Sequence, residues 1–388
     1  MRKVYIDYNA TTPLHPDVKA AMTEDLEIFG NASSMHASGR LARARVEQAR
    51  LSVAKLIGAG NGTVIFTSGG SEANNMVFNT MRSLIKKSGG RDEILTTAIE
   101  HPCVLNSALK LKNAGFNVSI LPVDEYGKLK IDELKKWLNE KTLFVSIMAA
   151  NNEIGTIQDI KEIASLVKNA GAFFHTDAVQ AVGKIPLDAQ ELGADYITIS
   201  AHKIYGPKGV GALYIKKGSP IFPFIHGGHQ EDGLRAGTYN NCGILGFGKA
   251  AELAADEVKN YSKKIAPLRD KLRLGLTEKV PHIKINGHPK DTLPNTLNVS
   301  FPGAEGEAIL LSLDIQGIEA STGSACASGS LEPSHVLMAT GVGPELAHGS
   351  IRFSLGWGIT EDDIDYIIET LPPIIARLRA MSTLSDCA

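Results

Sequence analysis

The stretch DYITISAHKIYGPKGVG, residues 195–211, joins a β-branched apolar run to a glycine-proline turn. The run ends at Ser200, and Lys203 follows three residues later. Burial disfavours an ammonium group and lowers the pKa of a lysine, so that its amine can act as a nucleophile. The alternative is a lysine whose long side chain reaches from the strand end to solvent. The segment therefore predicts a buried strand with either a reactive or a solvated amine at its carboxyl end.

A second strand-to-turn segment, TVIFTSGGSEANNMVFN, covers residues 63–79. It reads as a short strand, a glycine turn containing Gly70 and Ser71, and the start of an amphipathic helix. Unpaired main-chain N–H groups at a helix start favour a phosphate group. The segment matches neither the dinucleotide-binding glycine fingerprint nor the P-loop. It predicts either a phosphate-binding turn or a simple connection.

An aspartate closes a third strand-like run. The strand is predicted over residues 172–177, after a helix that Gly171 ends. Ligands of parallel α/β sheets collect outside the carboxyl ends of the strands. There, Asp177 can pair with the protonated pyridine nitrogen of a ring-shaped cofactor. Gln180 can then hydrogen-bond a phenolic oxygen on the ring of that cofactor. The alternative for Asp177 is an N-cap of a following helix.

A histidine and an asparagine follow two further apolar runs. His101 closes EILTTAIEHP, where Pro102 prevents the strand from continuing. An imidazole in that place can stack on a flat cofactor and move protons, or it can be purely structural. Asn152, in NNEIG after the run at residues 143–150, is a candidate of the same kind.

Short segments spread over almost the whole chain carry a family resemblance. They are YIDYNATTP, GNASSMH, TSGGSEANN, EH at Glu100 and His101, NNEIG, HTDAVQ, SAHKIYGPKG, GLRAGT, STGSACASGSLEPSHV and SIRFSLG. In this order they resemble the pyridoxal phosphate-dependent cysteine desulfurases of the class V aminotransferase family. The closest resemblance is to the branch that contains the nitrogen-fixation and housekeeping iron–sulfur enzymes.

The resemblance implies roles for matching positions. Lys203 carries pyridoxal phosphate as a Schiff base, and His101 stacks on its ring. Thr238 reaches the phosphate from the neighbouring subunit, and Arg352 takes the substrate carboxylate through a bidentate guanidinium. The implied cofactor-binding set is Gly70, Ser71, His101, Asn152, Asp177, Gln180, Ser200, His202, Lys203 and Thr238, and Asn152 also lies near the substrate.

Cys326 indicates which reaction the cofactor site catalyses. It lies in ASTGSACASGSLEPS, a run of small and hydroxylated residues without apolar periodicity, which predicts an exposed, mobile loop. Its thiolate can attack a substrate sulfur and keep it as a persulfide. The catalytic residues implied are thus Lys203, Cys326 and His101. Of the other cysteines, Cys103 is expected to pack at the start of a helix.

The implied reaction converts L-cysteine to L-alanine and passes sulfur through Cys326 to an acceptor protein, such as an iron–sulfur scaffold. Three alternatives stay open. A selenocysteine lyase and a small-substrate aminotransferase share the fold, although the aminotransferase does not need Cys326. A non-enzymatic scaffold does not need Lys203, Asp177 or His101.

Composition narrows the remaining possibilities. The formal net charge is −2, and no cluster of Lys and Arg stands out, so nucleic acid is not expected as a principal partner. The four cysteines have no CxxC spacing, so no metal site or disulfide framework is predicted. No apolar run approaches membrane-spanning length, and MRKVYIDYNATT lacks a signal-peptide core. We expect a cytoplasmic protein without a membrane partner.

Strand-like and helical segments alternate over residues 16–257, which predicts a mostly parallel sheet covered on both faces. A charged amphipathic stretch at residues 256–280 leads into a smaller α+β pattern. We expect a large cofactor-binding domain at residues 16–257, and a small domain from residues 1–15 and 258–388 that carries the cysteine loop. The resemblance implies the aspartate-aminotransferase-like fold type I and a homodimer with composite active sites.

Overall fold

A computed structural model describes residues 2–87, 89–322 and 332–381, so Cys326 and Cys387 lie outside the described residues. In chain order the strands are β1 (Val4–Tyr5), β2 (Thr63–Thr67), β3 (Glu93–Thr97), β4 (Asn117–Leu121), β5 (Thr142–Ser146), β6 (Phe173–Asp177), β7 (Tyr196–Ser200), β8 (Gly211–Ile215), β9 (Lys284–Asn286), β10 (Thr296–Ser300), β11 (Ile318–Glu319) and β12 (Ser350–Ser354). The helices are α1 (Pro16–Asp25), α2 (Ala37–Leu56), α3 (Gly70–Ile85), α4 (Pro102–Asn113), α5 (Ile131–Trp137), α6 (Ile160–Asn169), α7 (Ala189–Leu192), α8 (Asn241–Lys279), α9 (Gly306–Ile315), α10 (His335–Ala339), α11 (Pro344–His348) and α12 (Glu361–Met381).

The largest sheet has seven strands in the order β2-β8-β7-β6-β5-β3-β4. Strands β7, β6, β5, β3 and β4 are parallel to their neighbours in this series, whereas β8 is antiparallel to β2 and β7. The predicted mostly parallel sheet is therefore confirmed. Because parallel strands end at one edge, the residues that follow β3, β6 and β7 meet there.

Helices cover both faces of this sheet. Successive strand residues point to opposite faces, so Tyr196 and Ile197 belong to different apolar cores. Val53 of α2 and Ile163 of α6 share the core of Ile197. Met76 of α3 packs in the other core, with Tyr196. The buried sheet thus forms a rigid support for the loops at its edges.

A second region forms around a three-stranded antiparallel sheet, β12-β10-β9. Its apolar core includes Leu272 of α8, Phe301 and Ile364 of α12. The chain start joins this region, because β1 pairs with β11 and Asp7 forms a bridge with Ser354.

Helix α8 connects the two regions. It begins at Asn241 and runs without interruption to Lys279, past residue 257 where the sequence placed a domain boundary. The predicted domain boundaries stay predictions. A Cβ atom on Gly248 of this helix would lie 2.6 Å from Ala49 of α2, so glycine allows the two helices to approach closely. Among the described residues, no helix has both the length and the apolar character needed to span a membrane.

Candidate active site

Most of the predicted site residues line one cavity of about 330 Å³ at the carboxyl edge of the large sheet. These residues are Gly70, Ser71, His101, Asn152, Asp177, Gln180, Ser200, His202, Lys203 and Arg352. The structure therefore brings them together, while the role of each one stays a prediction. Thr238 lies in an exposed loop and does not line this cavity in the single chain. Cys326 is outside the described residues.

Lys203 lies in a single 3₁₀ turn directly after β7. Its Nζ donates hydrogen bonds to the main-chain oxygens of Asn9, at 2.5 Å, and Ala10, at 2.6 Å. Burial and the charges of Lys203 and Lys208 lower the pKa of His202 to about 4. The imidazole beside the lysine is therefore neutral at physiological pH, and it hydrogen-bonds Thr11 Oγ1 at 3.2 Å.

Asp177 is the last residue of β6 and is only 6% exposed. Its Oδ2 accepts a hydrogen bond from Asn74 Nδ2 at 2.7 Å, and its Oδ1 accepts one from the Val179 main-chain N–H at 3.0 Å. The second contact resembles an N-cap, but turns rather than a helix follow it. Two neutral donors hold the carboxylate without neutralising it, so it can still pair with a cation in the cavity.

His101 begins α4 as its N-cap, with Pro102 in the first helical position. Its Nδ1 accepts a hydrogen bond from the Cys103 main-chain N–H at 3.2 Å and lies 2.9 Å from Cys103 Sγ. Burial is the main cause that lowers the pKa of His101, and burial raises the pKa of Cys103 to about 12. Since a neutral thiol and an amide N–H both face Nδ1, the ring proton lies on Nε2.

Cys103 contributes to the site in addition to its predicted packing at the start of a helix. It lines the cavity, and Asn74 Nδ2 approaches its Sγ to 3.1 Å. Asn74 thereby connects the carboxylate of Asp177 with the residue that holds His101. Sequence reasoning missed Asn74, although it lies in the quoted segment TSGGSEANN, one helical turn after Gly70.

The glycine turn ends β2 and begins α3, as predicted. A Cβ atom on Gly70 would lie 3.0 Å from Val179 Cγ2, which is tighter than ordinary contact. Gly70 therefore leaves room for the first turn of α3 beside the loop that follows Asp177. The main-chain N–H groups of this turn and the hydroxyls of Ser71 and Ser200 form a donor set suited to a phosphate group.

Arg352 approaches the cavity from the second region. It lies in the middle of β12, is 2% exposed, and pairs with Asn298 of β10. Its guanidinium contacts Asp7 Oδ1 at 2.5 Å and donates to the Asn152 main-chain oxygen at 3.2 Å. Sequence reasoning missed Asp7, although the residue stands in the quoted segment YIDYNATTP.

The residues present fit pyridoxal phosphate. An amine, a buried carboxylate, a neutral imidazole and the start of a helix all face one cavity. These groups match, in turn, the aldehyde, the pyridine nitrogen, the ring face and the phosphate of that cofactor. Within residues 2–87, 89–322 and 332–381, no group of three His, Cys, Asp or Glu side chains is arranged to hold a metal ion.

Residues 4–367 match the family model of the class-V aminotransferases. The chain belongs to the class-V aminotransferase family.

Within this family the chain is similar to proteins named as cysteine desulfurases. Cysteine desulfurase IscS of Dictyoglomus turgidum is 50% identical over 382 residues, which are 98% of this chain and 96% of that protein. A cysteine desulfurase of Nostoc is 49% identical over 387 residues, which are 100% of this chain and 96% of that protein. A solved NifS-like protein has a TM-score of 0.90 at 40% identity and covers 97% of this chain and 100% of its own. The predicted resemblance and fold type I are confirmed.

Proposed function

We propose that the protein is a cysteine desulfurase that uses pyridoxal phosphate bound at Lys203. The observation that carries the proposal is the meeting of Lys203, Asp177 and Arg352 in one cavity, in a chain half identical to a cysteine desulfurase over nearly its full length. The product pair is L-alanine and sulfur held as a protein persulfide.

Each group at the cavity has one task in holding the cofactor and the substrate. Lys203 would hold the cofactor through its aldehyde, Asp177 would hold the pyridine nitrogen, and Arg352 would bind the carboxylate of L-cysteine through its guanidinium. Gln180 would serve the phenolic oxygen, and Asn152 would serve the ring and the substrate. Gly70, Ser71, Ser200 and His202 would bind the phosphate. When bound, pyridoxal phosphate supplies an electron-accepting ring that stabilises negative charge on the substrate α-carbon.

The protein groups then move protons and sulfur. The amine of Lys203 removes the α-proton of the substrate, and His101 offers a proton from Nε2. The thiolate of Cys326 attacks the substrate sulfur. The bond between this sulfur and the β-carbon breaks, the carbon keeps the electron pair and takes up a proton, and a sulfur–sulfur bond forms on Cys326.

The finer parts of the proposal concern assembly and partners. The active enzyme is a homodimer in which Thr238 of each subunit reaches the phosphate site of the other. The persulfide passes to an acceptor protein such as an iron–sulfur scaffold, in the cytoplasm. The proposed domains are residues 16–257, and residues 1–15 with 258–388. The exposed position of Thr238, away from the cavity of its own chain, supports the composite site.

The decisive experiment combines the visible spectrum of the purified protein with an assay of alanine and sulfide release from L-cysteine in the presence of a reductant. We expect a yellow protein whose activity is lost in Cys326→Ser. Cys242→Ser is the matched control and should keep full activity, because Cys242 lies on α8 and does not line the cavity. A yellow protein whose Cys326→Ser variant is fully active would refute the persulfide step. A colourless, inactive protein would refute the whole proposal.

A further inference from the structure

A second lysine lies behind the cavity and has no part in the reaction described above. Lys184 is 3% exposed, and its Nζ donates hydrogen bonds to Gln180 Oε1 at 2.6 Å and to Asn9 Oδ1 at 2.9 Å. Both partners are neutral amide oxygens. Burial and the charges of Lys203 and Arg352 lower the pKa of Lys184 well below its usual value. A lysine in such a place is unfavourable for folding, so its presence calls for a functional reason.

The orientation of the Asn9 amide is fixed independently of Lys184. Asn9 Nδ2 donates to the main-chain oxygen of Asn152 at 3.1 Å and to Thr296 Oγ1 at 2.8 Å. Its Oδ1 must therefore face Lys184 and Asn295, whose Nδ2 donates to it at 3.0 Å. Lys184 thus acts as a donor toward Asn9, and even a neutral amine has enough N–H groups to donate to Gln180 as well.

The Gln180 amide is then held at both ends. Its Oε1 accepts from Lys184, and its Nε2 donates to the main-chain oxygen of Asn9 at 2.9 Å. That main-chain oxygen also accepts from Lys203. If the Gln180 amide were reversed, its NH₂ would face the Lys184 donor and its oxygen would face the Asn9 oxygen. The contact with the Asn9 oxygen would be unfavourable in either protonation state of Lys184, and the contact with Lys184 would be unfavourable for the protonated amine.

We propose that Lys184 is a positioning residue that fixes the Gln180 amide with its NH₂ group, and not its oxygen, available to the cofactor. The inference rests on the proposed function, because it assigns the phenolic oxygen of pyridoxal phosphate to Gln180. An anionic oxygen needs a donor, and Gln180 offers one only in this orientation. Lys184 acts through Gln180 and does not touch the cofactor.

A double-mutant cycle on pyridoxal phosphate binding tests the proposal. The variants are Lys184→Met, Gln180→Leu and the combination of both, and the measured quantity is the dissociation constant of pyridoxal phosphate from the full-length apoenzyme. We expect each single change to weaken binding about fivefold to tenfold, the factor of one lost hydrogen bond. The double variant should bind no more than about twofold more weakly than Gln180→Leu alone, because coupled residues are not additive. Losses that multiply in the double variant would overturn the proposal.

Two further variants keep the test interpretable. Lys128→Met is the matched control, since Lys128 pairs with Asp159 and Asp291 away from the cavity, and its pyridoxal phosphate affinity should equal that of the wild type. Lys184→Gln keeps a side-chain donor and should lose less affinity than Lys184→Met. It also replaces Lys184→Met in the cycle if that variant does not fold. A larger loss in Lys184→Gln than in a folded Lys184→Met would count against the proposal.

The same titration separates this inference from the proposed function. If the wild-type apoenzyme does not take up pyridoxal phosphate, the proposed function fails and the inference fails with it. If the wild type binds the cofactor and releases alanine from L-cysteine, but Lys184→Met binds as tightly as the wild type, only the inference fails.

Discussion

The carboxyl edge of the seven-stranded sheet and the middle of β12 supply the same cavity in different ways. His101, Asp177 and Lys203 stand at or just after strand ends, and hydrogen bonds between their side chains and the surrounding chain hold them in place. Arg352 stands inside a strand, paired with Asn298 on one side and bridged to Ser321 on the other. The comparison indicates that the proposed cofactor-binding side chains are held mainly by their own hydrogen bonds, whereas the proposed substrate-binding side chain depends on the register of a sheet.

The two regions also differ in how charge is balanced. Arg352 has its own counter-ion, Asp7, which comes from the chain start. Asp177 at the strand end is held by neutral donors instead. The large-sheet edge therefore keeps an unneutralised carboxylate for a ligand, while the guanidinium of Arg352 stays oriented even without one.

The largest effect is expected from removing the strand-end amine. Lys203→Ala should lower the rate of alanine release from L-cysteine about a thousandfold or more, because the variant loses both the cofactor anchor and the base. Lys208→Ala, an exposed lysine five residues later, should keep wild-type activity. Catalytic alanine release by Lys203→Ala would contradict the comparison between the two regions, because the amine at the strand end would then not be needed for catalysis.

The next effect concerns the unneutralised carboxylate. Asp177→Asn should lower kcat about a hundredfold, because a neutral amide no longer stabilises a protonated pyridine nitrogen. Asp195→Asn is the control at the opposite end of the same strands. Asp195 accepts from the Phe174 main-chain N–H and from Ser219 Oγ, so its replacement should change Tm but leave kcat intact. Equal kcat losses in both variants would show that the effect is structural.

A substitution of Arg352, the proposed substrate-binding residue, should have a smaller effect, and mainly on KM. Arg352→Lys keeps the charge but loses the bidentate fork, so kcat/KM for L-cysteine should fall about tenfold to a hundredfold. Arg379→Lys is the control, because Arg379 donates to main-chain oxygens of Pro281 and Pro302 in the same region. A fall in kcat with an unchanged KM would mean that Arg352 takes part in the chemical step. The distinction between the two regions would then be lost.

The smallest effect is a pH dependence at the strand-end side. Burial raises the pKa of Glu100 to about 8, so the folded protein holds a proton that the unfolded chain releases above its usual pKa of 4.5. As pH rises from 6.5 to 8, Glu100 therefore lowers the free energy of unfolding, by at most about 2 kcal/mol. Glu100→Gln has no such proton to lose. The free energy of unfolding of the variant should therefore rise relative to that of the wild type over this pH range. Urea unfolding at both pH values checks this.

The control for that pH dependence is Glu278→Gln, an exposed position on α8. Its difference from the wild type should be the same at both pH values. A constant difference for Glu100→Gln as well would mean that the Glu100 carboxyl is already ionised at pH 6.5 in the folded protein.

The sequence predicted the strand-end residues because each follows an apolar run that ends at a turn residue or a proline. Gly70, His101, Asp177 and Lys203 are all of this kind, and the structure places them at one cavity. Arg352 was reached only through the family resemblance, since a buried arginine within a strand has no local signal. Its position depends on pairing with Asn298, 54 positions earlier in the chain.

Asn9, Asn74 and Lys184 were missed for a physical reason. Each is a polar residue whose importance arises from contacts between segments far apart in sequence. Asn9 meets Lys184 across 175 positions, and Asn74 meets Asp177 across 103.

The contact between Asp7 and Arg352 joins residues 345 positions apart, and β1 likewise pairs with a strand near residue 318. During synthesis at about 5–20 residues per second, the chain start leaves the ribosome on the order of tens of seconds before its partners do. A nascent chain that ends before β12 lacks Arg352, the residue that we propose binds the substrate carboxylate. If Arg352 has this proposed role, we expect no release of sulfur from cysteine until translation is almost finished.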